Sequence, residues 1–428
     1  MAGDGTRIHV ARGTDGTIRV AAGSPVLAHD DVDPVGPDFA RSVLDVAGAV
    51  LVWPVLGEPG PPVAEVHDVG RAQQWLWAVY GEPTAAAVHA CATAGGEASP
   101  VPAEPGALAG HAARLGFAHW AARWWPASYT DGIPVLEPDV LGLESAALTH
   151  RCQQLFDDLG DQPDDCVPEL IEEHRAGLGP LIRWWRSAPQ PADTARHLEN
   201  VLRLIDDAAD AAGLDGPALR ELRSALERGL AGTPVDAGAL FARRDGYALA
   251  AGDAPGSGGR VIARGSGTND WRRYPPGFVD AAEDSVSWTA RALGARRQME
   301  VEVVAHVAAP VTGALLVAEV QVNGGPPSRV PLARRDDVWT GRADLDLNPH
   351  HDLPAAATAP QVEVGVLLPG FDLGAGLGGR ADRDAVRALA RRRLADAAQP
   401  LASADAYDTF SAPFLAETLA ATATSEDY

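Results

Sequence analysis

The chain has 428 residues, 46% of them hydrophobic, so it carries enough apolar side chains to build more than one core. Its 58 acidic residues outnumber 35 basic ones, and the resulting net charge of −23 repels phosphate backbones and anionic lipid surfaces, which disfavours nucleic acid and membranes as main partners. Every basic residue is arginine, which excludes Schiff-base chemistry and the ATP-binding motifs that need a lysine amine.

Three sparse cysteines, Cys91, Cys152 and Cys166, argue against a disulfide framework and favour a reducing cytoplasm. No apolar run approaches the ~18–20 residues that a membrane span needs. The segment Met1–Val10 also lacks the basic and apolar regions of a secretory signal. We therefore expect a soluble, cytoplasmic protein.

Residues 1–70 are predicted to form a small β-containing lead. Arg7–Val10 and Thr17–Ala21 flank a Gly-Thr-Asp-Gly sequence that is typical of a hairpin turn. Ala49–Trp53 has the composition of a buried strand.

Residues 71–252 are predicted to form a helical, bundle-like domain. Helices are indicated at Arg71–Tyr80 and Ala107–Trp125, and Asp139 is expected to cap the next one. Apolar residues then recur at helical spacing in four amphipathic segments, with Pro180 expected to kink or split the second. Short connections between such helices are typical of a bundle.

Residues 253–270, rich in Gly, Ser and Pro, are predicted to be a linker, and residues 271–378 a β domain. Alternating apolar residues predict six strands: Val286–Ala292, Met299–Val307, Leu315–Val322, Ser328–Leu332, Val338–Leu347 and Val362–Leu368. Short, regular turns between them favour an immunoglobulin-like β-sandwich. Residues 379–428 are predicted to be C-terminal helices and tail, which makes the chain an α+β multidomain protein.

Two Asp-Asp-x-x-Asp sequences, beginning at Asp157 and Asp206, resemble the aspartate-rich motifs of isoprenoid synthases. That resemblance implies Asp157, Asp161, Asp206 and Asp210 as ligands of Mg²⁺ bound to a diphosphate. Aspartates at i and i+4 do share one helix face, but these lie opposite the apolar stripes and are expected to face water. The basic residues that follow the first motif in that family are replaced here by Gln162-Pro163-Asp164-Asp165. We therefore predict no catalytic residue, metal or cofactor, with Mg²⁺ only under this alternative.

Other side chains are candidates for partner binding. The most aromatic and basic segment comprises Trp271, Arg272, Arg273 and Tyr274, and either an interdomain clasp or a binding loop would use it. Arg383, Arg387 and Arg391 recur at helical spacing, which suits a solvated face, internal pairing or an acidic partner. Phe410 and Phe414 suit a helix that binds in a groove or folds back onto its own domain.

Ala118–Val135 and Arg273–Ala292 resemble parts of uncharacterised proteins from GC-rich Gram-positive bacteria that are encoded beside MoxR-type AAA ATPases. The resemblance implies an accessory role in a multi-protein system, with an AAA ATPase as the expected partner. It supplies no site residues, because none are defined for such proteins.

The leading hypothesis is a non-catalytic adaptor or scaffold that binds protein partners. The first alternative is a Mg²⁺-dependent enzyme that acts on a diphosphate at the helical domain. The second is a ligand-binding β-sandwich, which would need exposed tryptophans in a groove. Oligomeric state is not predicted by any of these patterns.

Overall fold

The computed structural model describes residues 6–23, 37–57, 60–94, 98–156, 166–187, 191–229, 236–241, 260–293, 296–310, 316–344, 361–371, 379–399 and 412–425. Close contacts divide the chain into two compact units. Unit 1 comprises Met1–Trp125, Leu136–Ala242 and Ala381–Tyr428. Unit 2 comprises Pro126–Val135 and Arg243–Arg380. None of the helices in the described ranges is long and apolar enough to cross a membrane.

Unit 1 contains a six-stranded antiparallel sheet with the strand order β3-β4-β5-β2-β1-β6. Its strands are β1 (Arg7–Arg12), β2 (Ile18–Ala22), β3 (Arg41–Val46), β4 (Ala49–Pro54), β5 (Val63–Val66) and β6 (Ala98–Pro102). The predicted hairpin is confirmed, because β1 pairs with β2 from Ile8 opposite Ala22 to Arg12 opposite Ile18.

The helices of unit 1 pack against one another and against its sheet. They are α1 (Val69–Tyr80), α2 (Glu82–Ala94), α3 (Ala107–Trp124), α4 (Pro138–Arg151), α5 (Val167–Glu173), α6 (Leu178–Arg186), α7 (Ala192–Ala211), α8 (Pro217–Arg228), α9 (Ala237–Phe241), α10 (Arg380–Ala397) and α11 (Leu415–Ser425). Every residue of α4 from Val140 to Thr149 is buried, so this helix lies in the interior and not at the surface.

Indole groups and one close approach join the helices to the sheet. The Nε1 of Trp75 donates to the carbonyl of Ala47 at 2.9 Å, and the Nε1 of Trp120 donates to that of Phe39 at 2.8 Å. Gly116 lets α3 approach the sheet, since a Cβ there would lie 3.2 Å from Cζ3 of Trp53. Buried tryptophans therefore serve both packing and hydrogen bonding.

Two local predictions in the helical region need correction. Asp139 is not an N-cap, because α4 begins at Pro138 and Asp139 instead lies 3.2 Å from Nδ1 of His174. The predicted break near Pro180 is real but occurs earlier, between α5 and α6, because Pro180 lies in the first turn of α6, where a missing N–H is tolerated.

Unit 2 contains a five-stranded sheet, β12-β13-β9-β8-β7, and a three-stranded sheet, β11-β10-β14, both antiparallel. The strands are β7 (Arg260–Ser266), β8 (Val286–Leu293), β9 (Arg296–Val304), β10 (Val317–Val322), β11 (Ser328–Pro331), β12 (Ala333–Arg335), β13 (Val338–Asp344) and β14 (Val362–Leu367). All six predicted strand regions contain a strand, and the chain is α+β as predicted.

The segment predicted to be a linker contains β7. Glycine in this strand reflects packing, because a Cβ on Gly265 would lie 2.8 Å from Cζ2 of Trp288. The strand pairs with β8 from Arg260 opposite Ala292 to Ser266 opposite Ser287. The Gly- and Ser-rich composition therefore did not predict this strand, in which Gly265 leaves space for the indole of Trp288.

Candidate functional site

Five ionisable side chains meet in the interior of unit 1, each from a different helix. We call them the buried ion cluster: Arg114 (α3), Glu144 (α4), His197 (α7), Arg393 (α10) and Glu417 (α11). None of the five residues is more than 7% exposed. Burial of so many charges is costly unless each is paired, so the geometry of their contacts decides what the cluster can do.

Glu144 lies at the centre of one half of this cluster. Its Oε1 accepts hydrogen bonds from Nη2 of Arg114 at 2.6 Å and contacts Nε2 of His197 at 3.0 Å. Its Oε2 accepts from the backbone N–H of Leu415 at 2.8 Å. Burial raises the pKa of Glu144, but the charges of His197 and Arg114 and their hydrogen bonds outweigh it and lower this pKa to about 2.

Arg393 and Glu417 form the other half. The Nε and Nη2 of Arg393 lie 2.6 and 2.7 Å from the two carboxylate oxygens of Glu417, which is a bidentate pair. Both arginines of the cluster also donate to the carbonyl of Ala412, Arg114 at 3.1 Å and Arg393 at 3.0 Å. The two halves thus converge on the same backbone atom ahead of α11.

Two stacked phenyl rings cover the guanidinium groups. Phe117 and Phe414 have ring centroids 5.9 Å apart with an interplanar angle of 5°. The Cζ of Arg114 lies 4.7 Å from the Phe414 ring centre, and the Cζ of Arg393 lies 4.4 Å from that of Phe117. Cation–π contacts in a desolvated setting therefore add to the ion pairs.

The carboxylates of the cluster also complete the start of α11. The backbone N–H of Phe414 donates to Oε2 of Glu417 at 2.7 Å, while that of Leu415 donates to Glu144. Negative charge at a helix N-terminus is favourable, because the unpaired N–H groups there carry partial positive charge. Each carboxylate thus binds cations and helix amides at once, and this arrangement fastens residues 412–425 into unit 1.

Sequence reasoning missed the buried ion cluster. A usable signal exists, because Arg114 lies within Ala112-Ala113-Arg114-Leu115, and Glu144 follows Leu143 in an apolar helix. A charge inside an apolar run indicates a paired buried ion. The pairing partner could not be deduced, because Arg114 and Ala412 are 298 positions apart.

A second buried polar network lies in unit 2 around Asp280, which is 2% exposed. Its Oδ1 accepts from the hydroxyl of Ser128 at 2.7 Å and from the N–H of Ala282 at 2.9 Å, while Oδ2 accepts from the N–H of Tyr129 at 2.7 Å. Three donors satisfy this carboxylate. Two of them, from Ser128 and Tyr129, hold the segment Pro126–Val135 against the rest of unit 2.

Asn269 extends this network. Its Nδ2 lies 2.9 Å from the carbonyl of Asp280, 2.8 Å from that of Ala282 and 2.8 Å from Oγ of Ser285. Its Oδ1 accepts a hydrogen bond from the hydroxyl of Tyr274. A wholly buried amide with partners on both ends fixes the chain that leads from β7 to β8.

The aspartates that the isoprenoid-synthase resemblance implied as Mg²⁺ ligands fall into two groups. Asp157 and Asp161 lie outside the described residues. Asp206 lies 2.8 Å from Nε of Arg223, and the side chain of Asp210 is 86% exposed. The described residues contain no group of three or more His, Cys, Asp or Glu that could hold a metal ion. The expected solvent-facing orientation of the second motif is confirmed for Asp207 and Asp210.

The segment Trp271–Tyr274 is largely internal to unit 2. Trp271, Arg272 and Tyr274 are 4–6% exposed. Arg272 pairs with Asp270, and Nη2 of Arg273 lies 3.2 Å from Oε1 of Glu319. These contacts show an internal packing role for the segment, and partner binding by its residues stays a prediction.

The C-terminal candidates are also mostly internal to unit 1. Arg383 and Arg387 are 4% and 3% exposed, whereas Arg391 is exposed. Phe410 lies outside the described residues, and Phe414 is 1% exposed against Phe117. Of the two arrangements that the sequence left open for Phe414, the structure has the fold-back onto its own unit. Partner binding through Arg391 stays a prediction.

Among the described residues, two large aromatic side chains outside these segments are exposed to solvent. Trp77 of α1 is 55% exposed, and Tyr129 of unit 2 is 76% exposed. Both stand on well-supported backbone: Asp68 caps α1 by accepting from the N–H of Arg71, and Asp280 binds the N–H of Tyr129. Exposed aromatic side chains on rigid elements are typical binding anchors.

Two of the three cysteines are shielded from solvent. Cys91 and Cys152 are buried, and burial raises the pKa of the Cys152 thiol to about 12. A thiol with so high a pKa is a poor nucleophile and metal ligand, so Cys152 acts as a core residue.

Comparison of the chain with protein-family models, with curated proteins and with solved structures found no match.

Proposed function

We propose that this chain is a non-catalytic adaptor that binds protein partners through aromatic anchors on its two units. The observation that carries the proposal is the exposure of Trp77 and Tyr129 on backbone that hydrogen bonds hold in place. Tryptophan and tyrosine dominate the binding energy of protein interfaces, because they bury a large area at low entropic cost.

The buried ion cluster supports this role by keeping unit 1 rigid. Its carboxylates are occupied by Arg114, His197, Arg393 and the first amides of α11, so its charges serve the fold. A rigid platform lowers the entropic cost of association, which favours a scaffold. For unit 2 we propose an immunoglobulin-like sandwich, supported by its two antiparallel sheets with buried residues at alternate positions.

The resemblance noted from sequence makes an AAA ATPase of the cytoplasm the first partner to test. The magnesium-dependent alternative receives less support, because Asp206 is neutralised by Arg223 and Asp210 extends into solvent. The alternative of a ligand-binding sandwich needs exposed tryptophans, whereas Trp271, Trp288 and Trp339 are at most 7% exposed.

Affinity isolation from the native cell tests the adaptor proposal. The wild-type chain should recover partner proteins that Trp77→Ala or Tyr129→Ala loses. Leu56→Ala is the matched control, because Leu56 is also exposed, at 39%, but is not aromatic. Recovery of this chain alone, or identical partners with all four proteins, would contradict the proposal.

A further inference from the structure

We propose that the outer edge of β7 binds an acidic, extended peptide segment of a protein partner, which pairs with β7 as an added strand. We call this region the β7 edge surface and define it by Arg260, Val261, Ile262, Arg264, Arg291, Arg296 and Arg297. The inference rests on the proposed adaptor function and deepens it by naming the chemistry of a partner.

The first argument is the position of β7 in its sheet. The strand order β12-β13-β9-β8-β7 places it last, and among the described residues only β8 pairs along its length. Six of its seven residues are exposed. An edge strand presents unpaired backbone N–H and C=O groups, which form a template for strand addition.

The second argument is the apolar content of this edge. Val261 and Ile262 are adjacent and are 46% and 38% exposed. Natural edge strands are usually protected by charge, bulges or covering segments. This edge has charge and an irregular register, yet it still exposes two β-branched residues that an added strand would cover. The irregular register between Val261 and Ala263 bends the strand locally without removing either side chain from solvent.

The third argument is charge. Register brings Arg260, Arg291, Arg296 and Arg297 to one end of the sheet. Arg264 lies further along β7, opposite Thr289. None of these five side chains forms an ion pair or hydrogen bond among the described residues, although the chain as a whole carries a net charge of −23. On the next strands Arg342 pairs with Glu300 at 2.7 Å, so pairing is available to this sheet where a carboxylate is near.

Arg291 adds an unsatisfied donor to this surface. Its Nε is shielded from solvent and has no hydrogen-bond partner in the part of the chain that the structure describes. It lies on β8 opposite Val261 of β7, within the basic group. A carboxylate delivered by an added strand would satisfy that donor with a charge-assisted hydrogen bond, which is stronger than the bond that a backbone carbonyl would form.

Polyanionic nucleic acid would also complement the arginines, but a peptide fits the other features. Backbone pairing at a strand edge and contact with Val261 and Ile262 are peptide chemistry. Recognition of single-stranded nucleic acid uses exposed aromatic rings for stacking, and the β7 edge surface contains none. The net charge of the chain also repels long phosphate backbones.

Fluorescence anisotropy with the full chain tests the proposal. The probe is a labelled peptide of about ten residues that alternates valine and glutamate, a typical strand length. The first matched peptide replaces glutamate with lysine, and the second replaces alternate valines with proline, which cannot donate backbone hydrogen bonds. A labelled uridylate oligomer represents nucleic acid.

We expect saturable binding for the acidic peptide and for none of the other three probes, and salt should weaken this binding. Amide hydrogen exchange in β7 should become slower when the peptide binds. The double change Arg260→Glu and Arg264→Glu should weaken binding about tenfold or more. The control Arg203→Glu with Arg220→Glu reverses two exposed arginines of unit 1 and should leave binding unchanged. Circular dichroism verifies that both double variants fold.

Binding of the lysine or proline peptide as tightly as the acidic one would overturn the proposal. Tighter binding of the uridylate oligomer, or no weakening in the Arg260 and Arg264 variant, would do the same. Trp77→Ala should bind the peptide normally, which separates the two proposals. Partner capture through Trp77 without peptide binding would defeat only this inference, whereas peptide binding without captured partners would defeat only the aromatic-anchor proposal.

Discussion

Glu417 binds Arg393 through both carboxylate oxygens inside unit 1, at 2.6 and 2.7 Å, and one of those oxygens also accepts the N–H of Phe414. The pair joins α10 to α11 across 24 positions of sequence. Since Glu417 is 0% exposed and Arg393 7% exposed, loss of either partner would leave a charge buried without compensation.

Glu417→Ala should therefore destabilise unit 1 strongly. We expect its free energy of unfolding to fall by about 3–5 kcal/mol, because the guanidinium of Arg393 loses its counter-ion and Phe414 loses an acceptor. Urea denaturation followed by tryptophan fluorescence measures the change. The control Arg203→Ala removes an ion pair exposed to solvent and should cost less than about 1 kcal/mol.

The double variant Arg393→Met with Glu417→Leu separates charge from packing. Replacement of both ions by apolar side chains removes the desolvation cost together with the attraction, so this variant should be more stable than Glu417→Ala alone. If the double variant is the less stable of the two, contacts of the guanidinium with Ala412 and the Phe117 ring matter more than the ion pair.

The second prediction concerns the acid sensitivity of unit 1. The charges of His197 and Arg114 hold the pKa of buried Glu144 at about 2, below its ordinary 4.5. The unfolded chain therefore binds more protons between these values, and the stabilisation by Glu144 is complete above about pH 4.5 and lost as the pH falls towards 2.

Thermal unfolding of unit 1 as a function of pH measures this effect. The melting temperature of the wild type should fall steeply below about pH 4.5. Glu144→Gln should have a lower melting temperature at neutral pH, and its melting temperature should change less between about pH 4.5 and 2. Glu199→Gln is the matched control, since Glu199 lies on the exposed surface of α7 in a pair with Arg203. Parallel profiles for wild type and Glu144→Gln would show that other carboxylates dominate acid unfolding.

Local elements of this fold could be predicted, because they depend on periodicity. Alternation of apolar residues located every strand from β8 to β14 except the short β12, and the Gly-Thr-Asp-Gly turn located the β1–β2 hairpin. Each of these inferences uses neighbours within one element, where spacing determines which side chains share a face.

The assembly of those elements could not be predicted, because it depends on contacts between distant residues. The sequence does not reveal that Ala381–Tyr428 packs with Met1–Trp125 in one unit, or that Pro126–Val135 packs with unit 2. Helical spacing placed Arg383 and Arg387 on one face but could not show that this face is buried, since a long arginine side chain suits solvent and ion-paired interiors alike.

The third prediction concerns Asn269, the centre of the polar network in unit 2. Asn269→Ala removes the partner of the Tyr274 hydroxyl, the Ser285 hydroxyl and the Asp280 carbonyl in a buried setting. Within the described part of the chain, the Ala282 carbonyl keeps only the N–H of Ser285, at 3.3 Å. We expect a loss of about 2–4 kcal/mol in the stability of unit 2, since each unsatisfied buried group costs about 1–3 kcal/mol. The control Gln361→Ala removes an exposed amide from the same unit and should change stability by less than about 0.5 kcal/mol.

Hydrogen exchange at Tyr129 and Ala282 locates this effect. Both N–H groups donate to Asp280, whose position depends on the Asn269 amide through its carbonyl. Their exchange should accelerate in Asn269→Ala and stay slow in Gln361→Ala. Unchanged protection in Asn269→Ala would show that the segment Pro126–Val135 is held without this network.

The last prediction concerns His306, whose Nδ1 accepts the N–H of Ala308 at 3.0 Å. Burial of the ring lowers its pKa to about 4, below the ordinary 6.5, and the charge of Arg334 acts in the same direction against the opposing effect of Asp280. The folded chain therefore keeps the ring neutral, while the unfolded chain binds a proton below about pH 6.5. The contribution of His306 to the stability of unit 2 is therefore complete above about pH 6.5 and decreases as the pH falls towards 4.

Two-dimensional NMR of the imidazole ring should report a pKa near 4 for His306. His306→Asn retains an acceptor for Ala308 but cannot titrate, so the stability of unit 2 should vary less between about pH 6.5 and 4 than in wild type. His67→Asn is the matched control in unit 1, where the residue is exposed, and it should leave the profile of unit 2 unchanged. A measured pKa close to 6.5 would mean that water hydrates the His306 ring in the folded protein, and the pH dependence of unit 2 would then have another source.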